Sequence, residues 1–146
     1  MKLLLDTNVL SELERPEGSA QVRAAMKALD TFDLFISVIT LGEIARGIAL
    51  MAHGRRRMTL ALWLEATRQS FGARVIDIDS SVAEDWGTLD AEARRQGNPM
   101  QMADGLIAAT ARVHGLHVAT RNVRHMIAAR APAYDPWTGQ THEPAT

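Results

Sequence analysis

The sequence predicts a single α/β domain built around a mostly parallel sheet. Short apolar segments alternate along the chain with longer segments whose apolar residues recur at helical spacing. The first apolar segment, Leu3–Leu5, contains no polar residue, which favours a strand covered by helices on both faces. We expect one domain over residues 1–146, because a chain of 146 residues is long enough to bury a hydrophobic core.

Composition restricts the class of protein further. Hydrophobic residues make up 47% of the chain and charged residues 23%, which is typical of a soluble globular protein. The formal net charge is −1, so nucleic acid would have to bind through a local basic patch. The chain has no cysteine, which excludes thiol catalysis and is compatible with the cytoplasmic location that we expect. No segment is long and apolar enough to span a bilayer, so we expect no membrane association.

Two helices are predicted after the first strand. Thr7 and Asn8 can cap the first helix, because their short polar side chains can accept hydrogen bonds from backbone N–H groups. A turn is predicted over residues 15–18, and Ser19 can cap the second helix. Asp6 therefore follows a strand directly and precedes a helix. Ligands of open α/β sheets bind at this edge, beyond the carboxyl ends of the strands.

The middle of the chain contains the second predicted strand and two predicted helices. Residues 33–39 favour a strand because they are rich in β-branched and aromatic side chains. Thr40 and Glu43 have the spacing of a capping box and predict the start of the next helix. The arginines at 55–57 are predicted to form a basic loop, and a further helix is predicted over 58–71.

The second half of the chain repeats the alternation of strand and helix. A third strand is predicted over 75–79, and the capping-box spacing of Ser81 and Glu84 predicts a helix after it. A helix over 101–114 and a strand over 116–120 follow.

The last part of the chain is predicted to contain little regular structure. A short helix is expected over 123–130. Residues 131–146 contain three prolines and are predicted to form an extended C-terminal tail, with only a short edge strand around Tyr134.

Four polar residues are expected near one edge of the sheet. Asp6, Glu43 and Asn122 follow the first, second and fourth predicted strands, and Asp104 joins them if its helix begins there. Crowded carboxylates repel each other, and a hard divalent cation such as Mg²⁺ or Mn²⁺ removes that conflict. Such an ion can activate a water molecule for cleavage of a phosphodiester bond.

Each of these residues also has a purely structural explanation. Asp6 can cap the first helix, Glu43 can complete a capping box, and Asp104 can interact with the helix dipole. Asn122 can belong to a turn, and Arg46 can be a surface partner of Glu43. One shared site explains the acids together more economically than separate structural roles.

Five segments resemble the sequence motifs of the PIN-domain ribonuclease toxins of the VapC and FitB type. They occur in the family's order and cover nearly the whole chain: Leu3–Glu12, Ile39–Gly47, Met102–Ala111, Val118–Arg124 and Tyr134–Trp137. The resemblance implies an α/β/α sandwich with a mostly parallel central sheet. It also implies the toxin of a toxin–antitoxin pair, a Mg²⁺- or Mn²⁺-dependent endoribonuclease that forms a homodimer and binds a small DNA-binding antitoxin.

The resemblance also assigns expected roles to individual residues. The acids that match the catalytic and metal-binding positions are Asp6, Glu43 and Asp104. The additional polar positions of the site are Thr7, Asn8, Thr120 and Asn122. The candidate RNA contacts are Arg46, Arg121 and Arg124. Guanidinium groups pair well with phosphate oxygens, which supports the last assignment.

The chain departs from the family pattern at one position. The fourth motif usually ends in an acid followed by an aromatic residue, and His125 and Met126 stand there instead. Three carboxylates would then hold one metal ion, with Asn122 or water completing its coordination. The departure leaves open a second possibility, a weak or inactive PIN-like module that acts through antitoxin or RNA binding.

A receiver-like phosphoacceptor domain is a third possibility, because it also gathers acids at strand ends. That class needs a lysine after a late strand. The only lysines here, Lys2 and Lys27, lie early in the chain, which argues against a receiver.

Overall fold

A computed structural model describes residues 1–145 and contains a six-stranded sheet with the order β3-β2-β1-β4-β5-β6. The strands are β1 Leu3–Leu5, β2 Leu34–Ser37, β3 Val75–Ile76, β4 His117–Ala119, β5 Ala133–Asp135 and β6 Gln140–His142. The α-helices are α1 Thr7–Glu14, α2 Ala20–Lys27, α3 Val38–Leu50, α4 Arg55–Phe71, α5 Ser80–Arg95, α6 Met102–His114 and α7 Val123–Ala128. All neighbouring strands are parallel except β5 and β6, which confirms a mostly parallel sheet.

The central strand β1 separates two hydrophobic cores. Leu4 packs in one core with Ile107 of α6 and Met126 of α7. Leu3 and Leu5 pack in the other core with residues of α1, α2 and α3. Alternate side chains of a strand point to opposite faces of the sheet, so all three leucines are buried only because helices cover both faces. The predicted α/β/α sandwich is confirmed.

Helices α5 and α6 pack closely on one face, and this contact fixes the start of α6. An ideal Cβ built on Gly105 would lie 2.8 Å from Cδ1 of Trp86, so a larger residue would not fit at this position. Asp104 directly precedes this glycine in the first turn of α6. The packing of α5 therefore holds the backbone beside that acid.

Two predicted capping boxes are wrong. Ser37 caps α3, since its Oγ accepts a hydrogen bond from the backbone N–H of Ile39 at 3.0 Å, and Thr40 lies buried inside the helix. Asp79 caps α5 through Val82 N–H at 3.0 Å, so that helix begins at Ser80. Both helices therefore start earlier than the predicted boxes would place them.

Two further local predictions are wrong. Thr7 and Asn8 do not cap α1. Asp6 does, which confirms its purely structural explanation, because its Oδ1 accepts a hydrogen bond from the backbone N–H of Thr7 at 2.8 Å. Residues 55–57 form the first turn of α4 and not a loop. The predicted cap of α2 is confirmed, since Ser19 Oγ accepts from Val22 N–H at 3.2 Å.

The C-terminal segment contributes two strands to the sheet where one short edge strand was predicted. β5, which contains Tyr134, lies between β4 and β6, and β6 forms the edge. The predicted tail extends to residue 146, which lies outside the described residues. None of the helices in residues 1–145 is long and apolar enough to cross a membrane.

Candidate active site

Three acids lie at or beyond one edge of the sheet, each on a different element. Asp6 follows β1, Glu43 lies in the second turn of α3, and Asp104 lies in the first turn of α6. Asp6 is only 5% exposed and Glu43 is half-buried. The Thr7 hydroxyl donates a hydrogen bond to Oε1 of Glu43 at 2.9 Å. This bond joins the start of α1 to α3 and places Glu43 beside the residue that follows Asp6.

Thr120 holds the carboxylate of Asp6 in place. β1 and β4 are parallel with Leu5 opposite Ala119, so Asp6 and Thr120 emerge side by side from the two strands. The buried Thr120 hydroxyl donates to Oδ2 of Asp6 at 2.8 Å and accepts from the backbone N–H of Asn122 at 2.9 Å. The register of the sheet therefore fixes the position of Asp6.

Asn8 adds a second set of hydrogen bonds around the same group. Its Nδ2 donates to Oδ2 of Asp6 at 3.3 Å and to the Thr120 hydroxyl at 3.2 Å. Its Oδ1 accepts from the backbone N–H of Arg121 at 3.2 Å. The predicted polar positions Thr7, Asn8 and Thr120 thus all contact an acid.

The acids affect one another electrostatically. Burial raises the pKa of Asp6, the bonds from Thr120 and Thr7 lower that pKa, and the nearby charge of Asp104 raises it again. Burial also raises the pKa of Asp104. The nearby His125 lowers that pKa, and the charge of Glu43 raises it again. Each aspartate therefore carries its negative charge at a cost, which a nearby cation would reduce.

The donor groups fit a hard divalent cation, although the side chains do not form a closed cage. No three His, Cys, Asp or Glu residues within 1–145 converge closely enough to enclose a metal ion. Asp104 is 26% exposed, and within the same residues its carboxylate accepts no hydrogen bond. Mg²⁺ commonly keeps several waters and binds one or two protein carboxylates, so an open group of acids is compatible with it.

A groove of about 1040 Å³ opens beside two of the acids. Glu43, Asp104 and His125 line it together with Asn122 and Arg124. The Nδ1 atom of His125 lies 3.6 Å from Oδ2 of Asp104. Sequence reasoning noted His125 only as a departure from the family motif and did not predict this contact, which depends on how α7 packs against α6.

A second hollow of about 820 Å³ adjoins the groove and shares Asn122, Arg124 and His125 with it. Arg121 also lines this hollow, and its guanidinium lies 5.0 Å from the centre of the Trp137 ring. That tryptophan belongs to the C-terminal motif, and its partly buried side chain also packs against the hydrophobic core that contains Leu3 and Leu5.

Arg46 is placed differently from the other two candidate arginines. It is exposed on α3 and lines neither hollow. Within the described part of the chain it forms no ion pair, so the suggested surface pair between Arg46 and Glu43 is absent there.

Comparisons with known proteins agree with this architecture. The profile of the PIN domain family matches residues 3–131. Toxin FitB of Neisseria gonorrhoeae is 37% identical over 136 residues, which cover 92% of this chain and 98% of FitB. The VapC ribonuclease Y4jK of Sinorhizobium fredii is also 37% identical over 136 residues, or 92% of this chain and 97% of that protein.

Two solved structures have a fold similar to that of this chain. The crystal structure of FitAcB from Neisseria gonorrhoeae matches with a TM-score of 0.86 and 37% identity, over 92% of this chain and 98% of that chain. The structure of FitAB bound to an IR36 DNA fragment matches with a TM-score of 0.85 and 35% identity, over 92% of this chain and 95% of that chain. On sequence and structure together, the chain belongs to the PIN domain family, among the toxins of the VapC and FitB type.

Proposed function

We propose that this chain is the toxin of a toxin–antitoxin pair and cleaves RNA phosphodiester bonds with the help of Mg²⁺ or Mn²⁺. The observation that carries the proposal is the group of three acids, Asp6, Glu43 and Asp104, with two aspartates whose pKa values are raised beside a groove. The names of the relatives, a toxin and a ribonuclease, support the same activity.

The three acids would together bind a divalent ion. Asp104 and Glu43 line the groove, and Asp6 lies behind them in its hydrogen bonds to Thr120 and Asn8. When bound, a divalent ion supplies charge neutralisation at the phosphate and a water of lowered pKa. Thr120 and Asn8 would orient the buried acid, because their bonds leave its carboxylate little freedom to rotate.

The RNA backbone would follow the two adjoining hollows. Arg121 and Arg124 are exposed cations at their rims, and guanidinium groups bind phosphate oxygens with two hydrogen bonds. Asn122 lines both hollows, and its side-chain amide would contact a sugar or base. Arg46 on α3 is the third candidate contact, and it would reach only a substrate that extends beyond the groove.

We infer a DNA-binding antitoxin and a second copy of this chain as partners. The likeness to the FitAB complex supports the antitoxin. Large apolar side chains on α3 and α4 are exposed, and they are candidates for the surface between two copies: Leu50, Met58 and Leu62. A single domain over residues 1–146 and a cytoplasmic location complete the proposal, because an RNA-cleaving toxin acts where its substrate is.

Metal removal tests the proposed activity directly. The full chain, purified free of antitoxin, would be incubated with varied single-stranded RNAs and Mg²⁺ or Mn²⁺, beside a sample with EDTA. We expect cleavage only with free metal, and recovery when excess metal is added back. Cleavage that persists in EDTA would contradict the metal-dependent mechanism. A folded protein that cleaves none of the RNAs would instead favour the inactive module, which the histidine at a usually acidic position keeps open.

Replacement of Arg124 tests the proposed path of the RNA. We expect Arg124→Ala to weaken binding of a single-stranded RNA and to reduce the slope of log K against log salt by about 0.7, the value for one lost phosphate contact. Fluorescence anisotropy in EDTA would measure this without cleavage. Arg68→Ala is the control, since Arg68 pairs with Glu65 on α4 and lines neither hollow. Equal effects of both substitutions would exclude a specific contact at Arg124.

A further inference from the structure

A histidine and an acid from two different helices meet in the groove. His125 lies in α7 and Asp104 in α6, with Nδ1 of the ring 3.6 Å from Oδ2 of the carboxylate. Both residues line the groove together with Glu43. His125 therefore carries the only imidazole among the described residues that line this groove, and it lies beside the carboxylate of Asp104.

The contact does little to hold the fold together. The His125 side chain is 63% exposed, and an ion pair this open to water contributes little to stability. Within residues 1–145 the ring makes no hydrogen bond, and α7 is already anchored by the buried Met126. The stability of the fold therefore depends little on the His125 ring.

The distance between the two atoms is compatible with two ligands of one ion. Ligands about 2.1 Å from a metal are about 3.0 Å apart at a right angle and about 4.2 Å apart when opposite. The observed 3.6 Å between Nδ1 and Oδ2 falls between these values. His125 is 63% exposed and Asp104 is 26% exposed, so close packing locks neither side chain in place.

We propose that His125 supplies a ring nitrogen to the divalent ion expected at Asp104 and Glu43, and so makes this site prefer Mn²⁺ over Mg²⁺. The inference rests on the metal site of the proposed function. Mg²⁺ strongly favours oxygen ligands, whereas transition metals accept imidazole nitrogen readily. The histidine would then act as a substitute ligand, and the departure from the acidic motif would change the metal rather than abolish the site.

Pulsed electron paramagnetic resonance on the full chain loaded with Mn²⁺ alone tests the proposed nitrogen ligand without measuring RNA cleavage. A nitrogen nucleus bound to Mn²⁺ modulates the echo, and we expect this modulation in the natural sequence. It should disappear in His125→Ala and persist in His142→Ala, which removes an imidazole from the adjoining hollow only. Calorimetry should also show that His125→Asp lowers the preference for Mn²⁺ over Mg²⁺ about tenfold.

The outcomes separate this inference from the proposed function. Bound Mn²⁺ without nitrogen modulation, or with modulation that His125→Ala leaves unchanged, would overturn the role of His125 and leave metal-dependent cleavage intact. Failure of the natural sequence to bind Mn²⁺, or equal binding by Asp104→Asn, would overturn the metal site itself and the inference with it. Circular dichroism would show that each variant is folded.

Discussion

Asp104→Asn is expected to remove metal-dependent RNA cleavage while making the metal-free protein more stable. Asparagine has nearly the same shape as aspartate but no charge, so it would bind a divalent ion poorly. A metal ion contributes several kcal/mol to cleavage and each 1.36 kcal/mol is tenfold, so we expect a loss on the order of 10²–10³-fold. The rate would be measured on the same RNA at saturating Mn²⁺.

The expected gain in stability follows from the surroundings of the carboxylate. Asp104 is partly buried and accepts no hydrogen bond within residues 1–145. Burial and the charge of Glu43 raise its pKa by more than the nearby His125 lowers it. Its pKa is raised above its ordinary value of 3.8, so the folded state binds the proton more tightly than the unfolded state does. Protonation therefore stabilises the fold below the unfolded pKa. That stability is lost as the pH rises through the folded pKa, which leaves a destabilising charge at neutral pH.

Thermal unfolding in EDTA would measure this gain. Because water screens the partly exposed group, we expect a rise in melting temperature of only about 1 to 4 °C, and no rise at a pH low enough to protonate the acid. Asp90→Asn is the matched control, since the Asp90 side chain is similarly buried but pairs with Arg94 at 2.8 Å, so its neutralisation should not stabilise the fold. A melting temperature below that of the natural sequence would contradict the argument from repulsion, whatever the effect on cleavage.

Patterns of apolar residues that extend over whole strands and helices predicted the fold well, because these patterns depend on burial. The unbroken apolar run Leu3–Leu5 required cover on both faces, and the structure provides two cores around it. The alternation of strand and helix then required parallel strands, which place Asp6 and Thr120 at one edge. These features depend on many residues together, so the exact start of any one element hardly affects them.

Helix starts were predicted less well because a cap depends on the backbone of one residue. Thr40 and Glu43 have the spacing of a capping box, but the chain leaves the extended conformation earlier, at Ser37 with φ −92° and ψ 149°. The hydroxyl that accepts a hydrogen bond from a free N–H group of the helix is therefore that of Ser37, not that of Thr40. Spacing alone does not show where a strand ends, so it could not choose between the two residues.

Contacts between distant residues account for the other differences. Three consecutive arginines at 55–57 predict a basic, solvated loop when only the local sequence is considered. The structure forms a helix there, and Arg56 donates two hydrogen bonds to Glu14 of α1, at 2.9 and 2.8 Å. The contact between His125 and Asp104 likewise depends on packing between helices, which no local pattern in the sequence reveals.

Thr120→Val is expected to cause the largest loss of stability among the polar substitutions at this site. Valine has the shape of threonine but lacks the hydroxyl, which donates to Oδ2 of Asp6 at 2.8 Å and accepts from Asn122 N–H. Hydrogen bonds to buried charged groups contribute more than neutral ones, so we expect the free energy of unfolding to fall by about 2 to 3 kcal/mol. Urea unfolding at neutral pH would measure this value.

The loss should depend on pH in a definite direction. The hydroxyl of Thr120 lowers the pKa of Asp6 against the effect of burial, so its removal raises that pKa further. The penalty is complete only where Asp6 is charged, and it should shrink as the pH falls through the folded pKa of that group. Thr120→Ser keeps the hydroxyl and should retain most of the stability at neutral pH.

A second buried threonine serves as a control. It separates the loss of the hydrogen bond to Asp6 from the general effect of replacing a buried threonine by valine. Thr110 is as completely buried as Thr120. Its hydroxyl, however, donates to the neutral backbone carbonyl of Leu106 and not to a carboxylate. We expect Thr110→Val to cost less than about 1 kcal/mol and to show no comparable dependence on pH. Equal losses in both variants would mean that burial of a threonine, and not support of the Asp6 carboxylate, determines the stability at Thr120. Because Asp6 is also a proposed metal ligand, loss of Mn²⁺ affinity in Thr120→Val alone would link the same hydrogen bond to the site.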